Sequence, residues 1–539
     1  MKVSNFYSRR DFMKFSLTSA TAFAMMGIHE GCTTLPFISD KLFPIAELKL
    51  PNIQCDKGLY LKNGKIIDVK KGVVLKGKVI KVNHSKIEQI GNEYELVNND
   101  QYLEIDLDGS YVIPGLIDSH CHISFPCTYG FNIIDLIAYF KQVKRNYNQH
   151  IYSGITTVRD MGAFPLLLQY FNSLLPENKL IGPRVIFCNK FANVYRSHPD
   201  IAPPDLTKWA LLDDIIVGDQ SIWFHDMDGL MKGLEWNIAN NASFVKITLD
   251  DLSLMCGGGK IPIYKEEHLK AIFNFAQTHN LPVAGHALRQ FGFDRALHWD
   301  IHSLEHTIGD GYHTDEEIER MANKNVSINP TLIIGQMYAV EEAYDYIPKE
   351  YRNDFIDDIL VSRRDFIYTP QDKYIDRKIH ENNRKMLDYY KQYGCENLYQ
   401  KNVFVADPNL FFGVLKYAPE NLRKMREAGI NIGCGTDAGM PYILHGLLWK
   451  EMELMSKAGF SNMEVLQCAT INNSKILNME DEIGSIEKGK LADITILTNN
   501  PLTSISSYRN PCMVIKDGQI VFVSNKLSRG VNTIKMKRA

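Results

Sequence analysis

Two histidines, His120 and His122, stand just after an apolar run that spans residues 111–117. In a β-strand, residues two apart project from the same face, so the two imidazoles would lie side by side. Neutral imidazole is a common ligand of divalent metals such as Zn²⁺. The pair alone is a weak signal, since many solvated or buried His-x-His pairs bind nothing. It gains weight because four more candidate ligands follow apolar runs further along the chain.

Lys246 lies within the apolar run 244–247. A buried lysine is costly, and burial lowers its pKa, which leaves a neutral amine able to take up CO₂. The resulting carbamate is an anion with two oxygens, suited to bridging two cations. The alternative is that the ammonium group extends into solvent at the strand end, and the spacing alone favours this alternative.

His286, His306 and Asp437 complete the set of candidates, and each lies at the end of its own apolar or glycine-rich run. Taken singly, each histidine is more often a hydrogen-bonded core residue than a ligand. Asp437 sits among glycines in residues 433–439, which permit close backbone approach, although its carboxylate could equally cap the next helix. The six residues together are a much stronger signal than any one of them.

The elements that position these side chains alternate along the middle of the chain. Amphipathic helical stretches, such as 266–279 and 314–325, separate most of the apolar β-like runs. These runs cover residues 111–117, 155–158, 184–188, 244–247, 281–285, 301–304, 326–329 and 430–434. Eight strand–helix units favour a closed parallel barrel with its chemistry at the C-terminal strand ends. We therefore predict an α/β fold, a (β/α)8 TIM-like barrel, over residues 113–479.

Two further units flank or interrupt this barrel. Residues 45–112 and 480–530 are typical of short strands joined by turns, which predicts a small β-sandwich built from both chain ends. Residues 333–418 are charged, rich in tyrosine and of helical character, and they break the alternation. We predict that they form an insertion on the active-site face; a separate helical hairpin without a substrate role is the alternative.

Composition excludes several classes of protein. With 539 residues the chain is too long for one ordinary domain, and a net charge of −3 gives no electrostatic reason to expect a nucleic-acid partner. The ten cysteines are scattered without a Cys-x-x-Cys pair. We therefore expect isolated buried thiols rather than a zinc ribbon or a disulfide framework.

The N-terminal segment is predicted to be a targeting signal rather than part of the folded domain. Ser8-Arg9-Arg10-Asp11-Phe12-Met13-Lys14 precedes an apolar run and resembles a twin-arginine export signal of bacteria. We assign residues 1–35 to this signal and expect export to the periplasm or the cell surface. Cys32 is a candidate site for a lipid anchor.

The order of the six candidate ligands resembles the amidohydrolase superfamily, in its binuclear, prolidase-like and imidazolonepropionase-like branch. The motifs that carry the resemblance are Ile113-Pro-Gly-Leu-Ile-Asp-Ser-His-Cys-His122, Gly154-Ile-Thr-Thr-Val-Arg-Asp-Met-Gly162, Phe244-Val-Lys-Ile247, Ser303-Leu-Glu-His306, Gly435-Thr-Asp-Ala-Gly439 and Ile483-Gly-Ser-Ile-Glu-Lys-Gly-Lys-Leu-Ala-Asp493. The resemblance implies two divalent metal ions, with zinc expected. It implies that His120, His122 and Asp437 hold one ion and that His286 and His306 hold the other. Carboxylated Lys246, a CO₂-derived carbamate, and a hydroxide would bridge the two ions.

The same resemblance implies a hydrolase that cleaves the amide C–N bond of a small molecule, a dipeptide or an N-acyl amino acid. The bridging hydroxide would attack the amide carbon, and Asp437 would act as general base and then acid. His198 is a candidate substrate contact, although Arg196-Ser-His198-Pro199 stands where the family has Gly-Gly-His. Cys121 should point away from its histidine neighbours and pack.

Two alternative functions stay open from the sequence. The same site could hydrolyse an ester, a lactone or a phosphotriester, because one activated water serves several electrophiles. The chain could instead be a non-catalytic surface-binding protein that kept the barrel, although the presence of all six ligands argues against this. A homo-oligomer is compatible with the sequence, which does not decide the oligomeric state.

Overall fold

A computed structural model describes most of the chain after residue 57. The described residues are 58–96, 98, 102–128, 133–162, 164–195, 197–198, 221–254, 259–343, 347–398 and 406–524. The predicted export signal and Cys32 lie outside the described residues. No helix within the described ranges is both long enough and apolar enough to span a bilayer.

Fifteen strands are found in the described part of the chain. In chain order they are β1 (Gly58–Asp68), β2 (Val73–Asn83), β3 (Lys86–Asn92), β4 (Tyr102–Asp106), β5 (Tyr111–Pro114), β6 (Leu116–Cys121), β7 (Ile155–Asp160), β8 (Arg184–Phe187), β9 (Val245–Thr248), β10 (Val283–His286), β11 (Ser303–Glu305), β12 (Ser327–Asn329), β13 (Ile494–Leu497), β14 (Met513–Lys516) and β15 (Gln519–Val523).

The α-helices of the described residues lie mostly between the strands of the middle region. They are α1 (Ile133–Tyr152), α2 (Pro165–Ser173), α3 (Met227–Ala239), α4 (Glu266–Thr278), α5 (Gln290–Leu297), α6 (Asp315–Asn323), α7 (Leu332–Tyr338), α8 (Asp354–Tyr368), α9 (Arg377–Leu398), α10 (Pro408–Glu427), α11 (Leu448–Lys457), α12 (Asn462–Gln467) and α13 (Asn473–Ile476). Helices α4 and α6 match the amphipathic stretches that the sequence predicted.

Strands from both ends of the chain share one eight-stranded sheet. Its order is β15-β14-β13-β5-β1-β2-β3, with β4 paired to β1. The junction is the antiparallel pair of β5 and β13, in which Ile113 lies opposite Thr495. Alternating apolar residues of these strands, among them Ile80, Val112 and Ile494, bury together in one hydrophobic cluster. The prediction that the two ends build one β-rich structure agrees with this pairing.

The first apolar run of the barrel is divided between two sheets. Residues 111–114 form β5 of the eight-stranded sheet, whereas residues 116–121 form β6, the first of the parallel strands. Gly115 separates them, and a Cβ atom at this position would lie 2.2 Å from Oγ1 of Thr156. The close approach to β7 therefore requires glycine. His120 consequently lies within β6 and His122 just beyond its end.

The parallel strands form two sheets, β6-β7-β8 and β9-β10-β11-β12. Backbone hydrogen bonds cross between the sheets on one side, where Ser243 N donates to Phe187 O at 2.8 Å. On the other side, residues 430–438 lie between β12 and β6 and make isolated bridges, Ile328 to Ile432 and Cys121 to Ala438. The α/β architecture is therefore as predicted, while the hydrogen-bonded ladder is interrupted at these two places.

The expectation of an eighth regular strand over residues 430–434 is wrong. This segment contains no strand longer than a single bridge. The side-chain amide of Asn473 replaces part of a ladder, because its Nδ2 donates to Cys434 O at 2.7 Å and its Oδ1 accepts from Cys434 N at 2.9 Å. A Cβ atom on Gly435 would lie 2.6 Å from Cβ of His120, so glycine lets the segment pass close to β6.

Candidate active site

The six predicted ligands line one cavity, together with His198. Each is held by the carboxyl end of a parallel strand or by the segment that replaces the eighth strand. Lys246 lies on β9, His286 ends β10 and His306 follows β11 directly. Because these strands are parallel, their carboxyl ends meet at one edge, which brings residues far apart in the sequence together.

His120, His122 and Asp437 meet at a single carboxylate oxygen. Nε2 of each histidine lies 3.1 Å from Oδ1 of Asp437. The opposite nitrogens are already used, since Nδ1 of His120 lies 2.8 Å from Oε2 of Glu305 and Nδ1 of His122 contacts Gly162 O. If Nδ1 donates in each ring, as its acceptors require, then two neutral Nε2 lone pairs face a carboxylate oxygen. Such an arrangement is repulsive unless a cation lies between the groups, so these residues fit a metal ion.

His306 is oriented in the same way. Oγ1 of Thr331 donates to Pro330 O at 2.8 Å and therefore accepts from Nδ1 of His306, which lies 2.7 Å away. Nε2 of His306 is left as the free lone pair. A ligand atom each from His120, His306 and Asp437 lies within 4.8 Å of the others, a spacing that suits coordination of one ion or of adjacent ions.

His286 and Lys246 carry buried nitrogens without hydrogen-bond partners. Nε2 of His286 and Nζ of Lys246 are both enclosed, and neither makes a hydrogen bond, although Nε2 of His286 lies 3.3 Å from Oδ2 of Asp250. Burial lowers the pKa of His286 well below its usual value, which keeps the imidazole neutral. Burial also lowers the pKa of Lys246 to about 8. An unpaired buried amine of low pKa does not extend into solvent, so the alternative considered from the sequence is wrong, and the amine is suited to carbamate formation.

Asp437 is an ionised carboxylate in this setting. Burial alone would raise the pKa of Asp437, but hydrogen bonds from His120 and His122, which require a proton on Nε2 when no metal ion lies between the groups, hold it well below its usual value. A bound metal ion would take the place of these protons. Asp437 also has a left-handed backbone with φ of 60°, and His306 has φ of 78°. Non-glycine residues rarely adopt this conformation, which costs about 1–2 kcal/mol per residue. Two strained residues at one cluster indicate that the positions of these side chains are fixed by the surrounding fold.

A buried carboxylate that sequence reasoning missed orients the cluster. Glu305 accepts from Nδ1 of His120, from Arg159 Nη1 at 3.1 Å and from Asn329 Nδ2 at 2.9 Å. Burial opposes its charge, but Arg159 and His120 outweigh burial and hold the pKa of Glu305 well below its usual value. The only sequence signal was its place directly before His306 in the motif Ser303–His306. Carboxylates of this kind fix the tautomer of a ligating histidine.

The remaining predicted residues lie as follows. His198 is half-buried and stacks on His286, with ring centroids 4.1 Å apart, and it lines the cavity. Cys121 is buried on the other face of β6 and comes within 4.8 Å of ligand atoms of His150 and His445. These two imidazoles share one hydrogen bond, 3.1 Å from Nε2 of His150 to Nδ1 of His445, whereas Nδ1 of His150 and Nε2 of His445 are buried without a hydrogen-bond partner. The six cysteines recorded as free thiols are all buried, as predicted.

The segment predicted as an insertion contributes directly to the cavity. Four of its residues line the space above the cluster, Ile334 and Tyr338 from α7, Ala406, and Phe411 from α10. The first turn of α7 is in turn held by the buried carboxyl group of Glu451 on α11. Glu451 accepts from Leu332 N at 2.8 Å and from Ile333 N at 2.7 Å. Burial raises the pKa of Glu451 to about 8.

Comparison with known proteins agrees with this geometry. The model described as "Amidohydrolase family" matches residues 111–521. An imidazolonepropionase from Fusobacterium nucleatum is 34% identical over 141 residues, which cover 24% of this chain and 32% of the relative. A 5-methylthioadenosine/S-adenosylhomocysteine deaminase from Symbiobacterium thermophilum is 29% identical over 120 residues, 18% of this chain and 28% of the relative. The chain thus spans about a third of the length of these curated relatives.

Solved structures are similar over a much larger part of the chain. A Xaa-Pro dipeptidase with bound methionine in the active site has a TM-score of 0.63 at 23% identity, covering 87% of this chain and 100% of that one. A prolidase complexed with N-methylphosphonate-L-proline has a TM-score of 0.64 at 20% identity, with the same coverage of both chains. These similarities show the fold, which implies a TIM-like barrel with an additional β-rich part.

Proposed function

Because the chain belongs to the amidohydrolase family, we propose that it is a metal-dependent hydrolase that cleaves the C–N bond of a small-molecule amide. One observation carries the proposal. Nε2 of His120 and Nε2 of His122 both face Oδ1 of Asp437 at 3.1 Å while their Nδ1 atoms are occupied, an arrangement that calls for a cation.

The residues of the cluster would bind two divalent metal ions, and zinc is the expected metal. His120, His122 and Asp437 would hold one ion, and His286 and His306 the second. Lys246, carboxylated by CO₂, would supply an anion between them. When bound, the ions would lower the pKa of water and polarise a substrate carbonyl.

Asp437 is the group that moves protons. As an ionised carboxylate beside the proposed ions, it would be able to accept a proton from the attacking water. Passing that proton to the leaving nitrogen completes the cleavage of the amide. His198, stacked on His286 at the cavity wall, is positioned to contact the substrate.

The substrate class predicted from the sequence is a dipeptide or an N-acyl amino acid. The resemblance to structures titled as a Xaa-Pro dipeptidase and as a prolidase supports a small amide of this size. The relatives named imidazolonepropionase support C–N bond hydrolysis more broadly.

Metal content and one substitution test the proposal. Purified protein should contain about two divalent ions per chain. Asp437→Asn should keep most of this metal, since the amide oxygen preserves a ligand, but should lose about a hundredfold or more in kcat because the proton acceptor is gone. Asp228→Asn, an exposed carboxylate on α3, is the control. Metal-free protein, or undiminished turnover in Asp437→Asn, would contradict the proposal.

A further inference from the structure

The walls of the cavity above the cluster are aromatic and apolar. One group of rings consists of Phe125, Phe164 and Phe191, with the centroids of Phe125 and Phe164 5.2 Å apart. A second group consists of Tyr338 and Phe411, 5.0 Å apart. These five residues are called the aromatic walls. Phe191 is 4% exposed and Phe411 is 2% exposed, so packing behind the rings holds them in place.

Charged partners for a substrate are absent among the described residues that line the cavity, once the metal cluster is set aside. That lining includes no arginine, and its lysine and its carboxylate are Lys246 and Asp437, which belong to the cluster. Arg159 is buried nearby but is bound to Glu305 and to Ser303. Among the described lining residues, a free carboxylate entering this space would lose its hydration without gaining an ion pair outside the metal cluster.

From these two observations we infer that the enzyme selects uncharged amides that carry an aromatic or branched apolar group, and discriminates against substrates with a free carboxylate. The inference rests on the proposed hydrolysis of small-molecule amides, and it replaces the dipeptide or N-acyl amino acid class predicted from the sequence. Burial of an apolar group against the aromatic walls makes the binding free energy more favourable. Desolvation of a carboxylate beside the scissile bond makes it less favourable. The expected substrates are therefore neutral acyl-amines rather than the free acids of dipeptides or N-acyl amino acids.

A matched pair of compounds tests this selectivity. N-Benzoyl-L-leucine and N-benzoyl-3-methylbutylamine differ only in the carboxylate. With zinc-reconstituted full-length enzyme, kcat/KM should be at least tenfold higher for the neutral compound. If neither amide is cleaved at a measurable rate, their inhibition constants against p-nitroacetanilide give the same comparison. Equal or better use of the acid, with amide hydrolysis intact, overturns the inference but leaves the proposed function standing.

Failure of the proposed function itself gives a different result. Enzyme loaded with two zinc ions that hydrolyses neither compound nor p-nitroacetanilide would overturn the proposed function, and the inference with it. The two failures are therefore distinguishable from one set of assays.

Two substitutions test the physical cause. Met440 lines the cavity and is half-buried. Met440→Arg would place a cation in the wall and should raise kcat/KM, or tighten inhibition, for the acid at least fivefold relative to the neutral compound. Phe411→Ala should lower kcat/KM for the benzoyl compounds about tenfold, chiefly through KM. Phe291 on α5 is 40% exposed and does not line the cavity, so Phe291→Arg and Phe291→Ala are the matched controls.

Each variant must retain two zinc ions and must melt in one cooperative transition above the assay temperature. Under that condition, an unchanged ratio between acid and neutral compound in Met440→Arg would overturn the role assigned to the missing cation. Unchanged kinetics in Phe411→Ala would overturn the role of the aromatic walls.

Discussion

At the scale of single residues, the chemistry depends on nitrogens kept neutral by burial. His286 and His306 both have a pKa well below the usual value because burial disfavours the charged ring. Neutral imidazole is the form that binds a metal. Hydrogen bonds to buried partners offset the cost of burying such rings, as the bond between Nδ1 of His306 and Oγ1 of Thr331 illustrates.

Lys246 offers the sharpest test at this scale. Lys246→Ala should release metal and lower kcat/KM by about a thousandfold or more, because it would remove the proposed carbamate between the two proposed ions. The fold should persist, since alanine leaves no unpaired charge in the core. Metal content is measured by metal analysis, retention of the fold by circular dichroism and kcat/KM by steady-state kinetics.

A second buried lysine provides the matched control. Burial also lowers the pKa of Lys450 to about 8, but this lysine lies on α11 and packs over Phe366, outside the cavity. Lys450→Ala should retain metal and turnover even if it lowers stability. Wild-type activity in Lys246→Ala would contradict the bridging role, and equal metal loss in both variants would point to general damage.

The individual residues of the cluster were predictable because each lies at the end of an apolar run, where side chains converge in a parallel sheet. Residues that act by supporting a ligand were not. Arg159 and Glu305 lie nearly 150 positions apart in the sequence, and nothing local signals that one neutralises the other. Their pairing exists only once β7 and β11 are placed in the fold.

At the scale of elements, the Arg159–Glu305 pair joins strands from the two parallel sheets. Arg159→Met should destabilise the protein by about 3–5 kcal/mol, because it leaves the buried Glu305 carboxylate uncompensated. Metal affinity should fall about 10–100-fold, since Glu305 no longer holds His120 in place. Denaturant unfolding and competition with a chelator measure the two effects.

Another strand arginine serves as the control for this prediction. Arg184 on β8 is largely buried and bonds to Asp493 at 2.7 Å. Arg184→Met should also lower stability, but it should leave metal affinity unchanged because its partners do not touch a ligand. Parallel losses of metal affinity in both variants would contradict a specific orienting role for Glu305.

The contact between α7 and α11 predicts a pH-dependent stability. Burial raises the pKa of Glu451 to about 8, so the folded state keeps a proton that the unfolded state, with a pKa near 4.5, releases. Between these values the folded state binds more protons, and its stability therefore falls as pH rises, at up to about 1.4 kcal/mol per pH unit. Glu451→Gln should remove this slope, which melting temperatures between pH 5 and 8 would show.

The control for this prediction is a carboxylate at another helix start. The pKa of Glu464 on α12 lies below its usual value, because its hydrogen bonds with Ser461 outweigh the effect of burial, which alone would raise the pKa. Glu464→Gln should therefore alter stability equally at pH 5 and pH 8. A slope in Glu451→Gln identical to that of the parent protein would contradict the shifted titration.

Element boundaries were predicted less well than element types, for a physical reason. The run 111–117 is continuous in hydrophobicity, but Gly115 divides it between two sheets. The run 430–434 resembles a strand, yet Asn473 completes its hydrogen bonds from a helix. In both cases the deciding contact comes from a distant part of the chain, which a local pattern does not contain.

At the scale of the whole molecule, the α/β middle region and the shared β-rich sheet followed from alternation and turn patterns along the chain. The sequence indicated the 333–418 segment only as an interruption of the alternating strand-like and helical stretches, and it did not show which of its residues line the cavity.

The pairing of β5 with β13 also sets the order in which the molecule can be completed. β5 leaves the ribosome about 380 residues before β13, so its edge is bare throughout synthesis of the middle region. Nascent chains that terminate early would expose that edge to one another. Ribosome stalling or premature stop codons before residue 494 should therefore yield aggregates rather than small soluble fragments. A chaperone that protects this edge would be released only after β13 has been synthesised.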